Sequence, residues 1–303
     1  EVSEKEYKKF SALKGDLFFT RSSLKEEGIA HCNLFNIDTN DTVFECHTMR
    51  IRPNKEIVNS YYLFRYCQSF YARKILISNS KTTTMTTIDQ NGLVSLLVPL
   101  PPLKEQEKIA EILTTWDEAI TKQTELLEAK ELQKKALMQK LLSGEVRFSG
   151  FSDKWEEVRL GEICKITTGS SNREDSSESK GEYTFFDRSQ DIRTSDIYLF
   201  DGEAIIVAGE GQEFIPKYFV GKFDLHQRTY AIMEFKLNCG KFLFYYLYQN
   251  RDYFYSQAVG STVKSLRLPI FQKMKIKLPS LPEQQKIAEV LNLADKEINH
   301  LKN

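Results

Sequence analysis

LPPLKEQEKIAEIL at residues 100–113 returns 178 residues later as LPSLPEQQKIAEVL at 278–291. Ten of the fourteen positions are identical, and Asp117 with Asp295 and Ile120 with Ile298 carry the match into the next turns. Proline ahead of apolar residues at three- and four-residue spacing is a helix-entry signal, so each copy predicts a helix launched from a stiff strap. The first copy then runs without Pro or Gly from Lys104 to Leu142 and stops at Ser143-Gly144. At about 1.5 Å per residue that predicts roughly 60 Å of helix.

An internal repeat fixes architecture before any single motif does. Weaker similarity lies upstream: YYLFRYCQSFYARK at 61–74 parallels FLFYYLYQNRDYFY at 242–255, and the GDLFF at 15 parallels the GEAII at 202. Each repeat therefore reads as a mixed domain followed by a helix. The expected organisation is a first domain at 1–102, a long spacer helix at 103–147, a second domain at 148–280 and a second spacer helix at 281–303. WEEVRLGEICKITTG at 155–169, with a strand expected over 158–167, has no partner in the first half. Setting Gly15 against Gly202 puts residue 1 near Arg188, so the first domain reads as lacking its start and the second helix as cut short. Self-association is one way of supplying such pieces.

Ile109, Leu113, Trp116, Ile120, Gln123 and Leu127 recur at 4-3 spacing, and Ile287, Leu291, Ala294, Ile298 and Leu301 repeat the phase. Such stripes predict two coiled-coil-like helices that pack on each other about a pseudo-twofold. Glu105, Gln106, Glu283 and Gln284 fall beside that seam, either capping the helices or facing a partner.

A chain of 303 residues with 41% hydrophobic content can bury about two domain cores. No apolar run approaches the roughly 20 residues of a membrane span and no signal-like block opens the sequence, so a cytoplasmic location is expected. The five cysteines never form C-x-x-C, which argues against a disulfide framework or zinc site and predicts buried thiols. His31-Cys32 and Cys46-His47 are no better as ligand pairs, because neighbouring side chains on a strand face opposite ways.

Net charge is zero, with 42 basic and 42 acidic residues, but the charges are segregated. No acidic residue occurs between Glu56 and Asp89, where Arg65, Arg73, Lys74 and Lys81 lie, or between Asp252 and Glu283, where Lys264, Arg267, Lys273, Lys275 and Lys277 lie. Inside these stretches are the polar tips SNSKTTTMTT (78–87) and GSTVKSLR (260–267). Lys and Arg there can neutralise phosphates, and hydroxyls and amides can bond phosphates or base edges. A single basic loop is ordinarily solvated surface; recurrence at corresponding places of a repeat favours nucleic acid. The DNA-contact candidates are Arg73 and Lys74 ahead of the first tip, Lys81 and Thr82 within it, and Ser261, Thr262, Lys264 and Arg267 in the second. Arg21, Ser22 and Ser23, and then Asn172, Arg173, Arg188, Lys217 and Arg228 with Gln212 and Gln227, are candidates for the same faces. Asn172 and Arg173 carry the donor patterns for adenine and guanine edges. The aromatic-rich segment 242–255 has a helical apolar period and reads as core.

Motifs for chemistry are missing. Gly209-Glu210-Gly211 meets Phe214 where a dinucleotide fingerprint needs glycine, and no G-x-x-x-x-G-K-[ST] loop occurs. Glu178-Ser179-Lys180 has a nuclease-like E-x-K form without a preceding Pro-Asp. Four histidines define no Ser/His/Asp set.

With both phrases and WEEVRLGEICKITTG in view, nearly the whole chain resembles the specificity subunit of a type I restriction-modification enzyme. The resemblance implies a non-catalytic reader with two α/β target-recognition domains, set in opposite orientations by antiparallel spacer helices that act as a ruler. Each domain would read half of a bipartite double-stranded DNA site. It also implies methyltransferase subunits carrying S-adenosylmethionine and a restriction subunit supplying ATP- and Mg-dependent cleavage, with no cofactor or metal on this chain. The other readings are an autonomous DNA-binding or helical adaptor protein, and an enzyme acting on DNA by itself.

Overall fold

A computed structural model describes residues 3–39, 41–175 and 181–302. The chain divides into two compact units between Lys122 and Gln123, inside one continuous helix. Glu178-Ser179-Lys180 lies outside the described residues.

The first unit opens with α1 (Glu4–Phe10), capped reciprocally by Ser3 and Glu6. Its small antiparallel sheet places β1 (Leu17–Thr20) at the centre, followed by the two-residue β2 (Ser22–Ser23), with β3 (Cys32–Leu34) and β4 (Thr48–Ile51) flanking β1. Period-two alternation sends Leu17 and Phe19 into a core with Ile29, Cys32, Cys67 and Leu76. The last two belong to α2 (Ser60–Gln68) and α3 (Phe70–Ser78). β5 (Lys81–Thr82), β6 (Thr86–Thr87), α4 (Gln90–Val94) and the start of α5 (Leu103–Ser143) complete the unit. Asp16 is buried at the entry to β1, where Arg52 grips it through Nε at 2.8 Å and Nη2 at 2.7 Å.

The second unit contains the rest of α5, then β7 (Glu156–Arg159), α6 (Leu160–Ile163), β8 (Lys165–Thr168), β9 (Tyr183–Phe186) and β10 (Arg193–Ser195). β11 (Phe200–Ala208), β12 (Glu210–Gly211), β13 (Lys217–Leu225) and β14 (Thr229–Met233) follow. Next come α7 (Gly240–Gln249), α8 (Asp252–Gln257), β15 (Lys264–Ser265), α9 (Leu268–Lys273), β16 (Lys275–Leu278) and α10 (Leu281–Lys302). Six strands form one sheet in the order β10-β9-β13-β11-β14-β8, antiparallel except for β13 with β9. The run Ala204-Ile205-Ile206-Val207 is apolar throughout because both sheet faces are covered. Ile205 and Val207 pack with the helices, while Ala204 and Ile206 pack with Phe186, Phe223 and Leu225. Mostly antiparallel sheets with segregated helices make both units α+β.

Within the second unit the spacer helices are antiparallel. Gln123 reaches the Leu301 carbonyl at 3.0 Å, Lys130 pairs with Glu297 at 2.7 Å, and Lys134 pairs with Asp295. α5 ends where Gly144 adopts φ +75°, the left-handed exit that glycine takes without strain. The apolar stripes dock each helix on its own unit: Ile109 and Ala110 pack with Val58 and Tyr62, and Ile287 and Leu291 with Met138, Leu142 and Phe242. Trp116 stays 65% exposed.

The repeated phrase works through its glutamine. Gln106 is 1% exposed; its Oε1 accepts the Asn59 N–H at 3.0 Å, and its Nε2 donates to the Pro101 carbonyl at 2.8 Å. Gln284 is 2% exposed and does the same with Cys239 N–H at 3.0 Å and the Pro279 carbonyl at 2.9 Å. Asn59 and Cys239 are the N-caps of α2 and α7, so one amide ties strap, helix and domain together in each copy. Glu283 is buried under a bidentate Arg147, whereas Glu105 is exposed.

Three expectations change. The strand over 158–167 is two strands in different sheets, broken by α6, because Leu160 turns into the core and Gly161 packs within about a methyl group of Gln272. The cap bonds to Gln106 and Gln284 set α2 against α7 at an offset of 180, one less than the aromatic match of 61–74 with 242–255 suggests. Cys32, Cys67 and Cys164 are buried thiols, but Cys46 is exposed and Cys239 half-buried.

Candidate nucleic-acid interface

In the first unit two separated groups of candidates meet. The hairpin β5–β6 pairs with β2, setting Ser22 opposite Thr87 and Ser23 opposite Thr86. Arg21, Asn79, Lys81, Thr87 and Asp89 line one hollow of about 250 Å³. Arg21, Lys74, Lys81 and Thr82 are exposed, while Ser22 and Ser23 are half-buried. Arg73 does not belong with them. It is half-buried, donates through Nη2 to the Glu27 carbonyl at 2.8 Å, and keeps Nη1 buried. Burial also holds its guanidinium below the ordinary arginine pKa. It packs the unit rather than presenting a phosphate contact.

In the second unit β12 pairs with β15, setting Glu210 opposite Ser265 and Gly211 opposite Lys264. Ser261, Thr262 and Arg267 are exposed around this tip, and the half-buried Lys264 holds its ammonium 5.7 Å from the Tyr255 ring centre. The tip turns at Gly260, φ +115°, where a Cβ would fall 2.3 Å from the Val263 carbonyl oxygen.

Four further candidates gather beside it in pairs. Arg173 meets the buried Asp187 at 3.3 Å, and Asn172 accepts from Gln227 at 2.8 Å. Arg188 and Arg228 both reach Glu210, at 3.2 Å and 3.0 Å. Burial alone would raise the Asp187 pKa; the Ser189 hydroxyl and N–H, with Arg173 and Arg193, outweigh it and hold the carboxyl below its usual range. Gln212 is exposed nearby in sequence. Lys217 is a correction: its ammonium, half-buried with a lowered pKa, is spent on the Ser189 and Gln190 carbonyls at 2.8 and 3.0 Å.

The two faces share one hydrogen-bonded frame. Arg21 N–H donates to the His47 carbonyl at 2.8 Å, and Gly209 N–H to the Arg228 carbonyl at 2.9 Å. Ile88 N–H donates to the Arg21 carbonyl, and Leu266 N–H to the Gly209 carbonyl. With the pairings of Ser22 to Thr87 and Glu210 to Ser265, these bonds equate Arg21 with Gly209, Ser22 with Glu210, His47 with Arg228 and Thr87 with Ser265. Leu17 paired with Ile51, and Ile205 paired with Ile232, extend the frame into the central strands at the same offset of 188. Gly15 therefore corresponds to Glu203 and not to Gly202.

His47, Glu210 and His226 were missed in the sequence. His47 Nδ1 lies 3.3 Å from Ser22 Oγ, and His226 Nδ1 accepts the Arg228 N–H at 3.0 Å. Cys46-His47 lies in a turn, so the strand-alternation argument does not apply there; Glu45, Cys46 and His47 are exposed with donor atoms within 4.8 Å of one another. The loops 44–48 and 225–229 share only Thr48 with Thr229, so nothing in the sequence marked the equivalence against the drifting offset. Among the described residues no helix is long and apolar enough to cross a membrane.

Two α+β modules, each presenting a polar, cation-bearing edge on a common frame, define a tandem recognition architecture. The type I restriction modification DNA specificity domain matches residues 1–131 and 152–303, and the chain belongs to that family. It is 26% identical over 327 aligned positions to a putative type I restriction enzyme MjaX specificity subunit of Methanocaldococcus jannaschii, covering 97% of this chain and 75% of that one. Over 138 positions it is 33% identical to the EcoDI specificity subunit of Escherichia coli, covering 46% of this chain and 30% of that one. The crystal structure of a type I restriction-modification S subunit from M. genitalium has the same fold, with a TM-score of 0.69 at 17% identity over 97% of this chain and 80% of that one. The family is one of DNA specificity subunits, the recognition and not the catalytic component of the restriction enzyme.

Proposed function

We propose that this chain reads a bipartite duplex DNA target and presents it to adenine-methyltransferase and restriction subunits. Each module reads one block of bases through its short-strand edge: Arg21, Ser22, Ser23, Lys81 and Thr82 in the first, and Asn172, Arg173, Arg188, Arg228, Ser261, Thr262, Lys264 and Arg267 in the second. The observation that carries this reading is the shared frame, on which candidates distant in sequence meet at the same place of both modules. Exposed lysines and arginines supply salt-dependent phosphate attraction, and the hydroxyl and amide groups beside them supply base-edge bonding. S-adenosylmethionine, ATP and Mg enter with the partner subunits, in the cytoplasm. The test is selection from a random duplex library by the full chain. Enrichment of two separated blocks of defined bases is expected; a pool without enrichment, or with a single block, overturns the proposal.

A further inference from the structure

Resting on that DNA-reading proposal, we infer that the equivalent pairs Ser22–His47 and Glu210–Arg228 determine specificity, with Arg228 reading a guanine and Glu210 positioning it. The backbone at these places is the same in both units, bond for bond, while the side chains on it differ. Where two readers share a frame, the residues that differ on its exposed edge distinguish what they read.

The second pair has the geometry of a prepared fork. Both Glu210 oxygens lie 3.0 Å from Arg228 Nη1, and one lies 3.2 Å from Arg188 Nη1. The carboxylate is 20% exposed, whereas the Arg228 and Arg188 side chains are 57% and 52% exposed. A carboxylate on a face that meets a polyanion opposes binding, and its place is explained by what it holds. Taking Arg228 by Nη1 fixes a side chain that is otherwise rotamer-rich, and among the described residues the Nε–Nη2 edge has no protein partner. That edge carries the two parallel donors that match guanine O6 and N7. His226 holds the backbone of the same residue, accepting its N–H at 3.0 Å. In the first unit Ser22 lies at Nδ1 of His47, which leaves Nε2 to make a single base-edge bond. One bond discriminates less than a fork.

The test measures affinity of the full chain for its selected duplex, for every single-base substitution of it, and for a scrambled duplex. Glu210→Gln is expected to lower discrimination at one or two positions of one block by about 5- to 100-fold. Affinity for the scrambled duplex should hold or rise, because a negative charge leaves the face; a merely structural role would lower both. Arg228→Lys, which keeps the charge and loses the fork, should lose discrimination at the same positions, and intact discrimination in the other block certifies the fold. The double substitution S22E/H47R should bring a guanine preference into that other block. Unchanged discrimination in both Glu210→Gln and Arg228→Lys, or a uniform loss over all duplexes, overturns the inference. A wild-type chain that binds scrambled and selected duplexes alike overturns the DNA-reading proposal instead.

Discussion

Gln106 and Gln284 make the same contact 178 residues apart: each accepts an N-cap N–H of its own domain and donates to the proline carbonyl of its own strap. A side chain beside an expected helical seam is thereby a buried clasp between helix and module. Replacing either by alanine leaves an N–H and a carbonyl unpaired in largely part-buried surroundings, a loss of about 1–3 kcal/mol. Hydrogen exchange should localise it: Gln106→Ala should raise exchange in α2, and Gln284→Ala in α7, with the other module unchanged. Equal loosening of both modules would contradict the local clasp.

Acid should loosen the first unit through Asp16. Burial pushes its pKa up, but the Arg52 fork, the Leu13 N–H and the Arg50 charge outweigh burial and leave it lowered. A lowered carboxylate stabilises above its unfolded pKa, near 3.9, and that contribution drains as pH falls through the folded value. Asp16→Asn should therefore be less stable than the parent at pH 6, with the gap closing in strong acid. Urea midpoints across pH 2–6 measure it.

His226 gives the second unit a dependence at milder pH. Burial lowers its pKa; Arg188 and Arg228 lower it further, and Asp187 and Glu210 oppose them. Below about pH 6.5 the unfolded chain binds the proton that the folded chain refuses, so stability falls as pH drops from 6.5 toward the folded pKa. Protonation at Nδ1 also ends its acceptance of the Arg228 N–H. His226→Asn, which keeps an acceptor, should flatten the profile between pH 5 and 7 when followed by thermal melts.

The exposed cations should show themselves in salt dependence. Lys81→Ala and Arg267→Ala should each weaken binding on all duplexes alike and reduce the slope of log K against log salt by about 0.9 per lost phosphate contact. Arg73→Gln should change stability without changing the slope, since its guanidinium faces the Glu27 carbonyl.

Local signals were strong wherever a residue type forces the backbone. Proline entry and Gly144 exit bounded α5 to within a residue or two, and the repeat revealed two modules. The broken strand at Leu160 was hidden because a buried leucine fits strand and helical turn equally well. Segregated charge marked the stretches holding the two tips, yet Arg73 shows its limit, and Lys217 outside them shows the same: a cation beside a polar loop serves a backbone carbonyl as readily as a phosphate. His47 and Glu210 were illegible for another reason. Their equivalence is written in backbone bonds, across insertions that move the sequence offset from 178 to 188.

The central claim, two equivalent edges reading two different blocks, is tested most directly by photo-crosslinking. A photoreactive side chain at Thr82 and, in a separate preparation, at Thr262 would be crosslinked to the selected duplex and the modified bases mapped. Thr82 should label one block and Thr262 the other. Labelling of the same block from both positions, or of neither, would contradict the account.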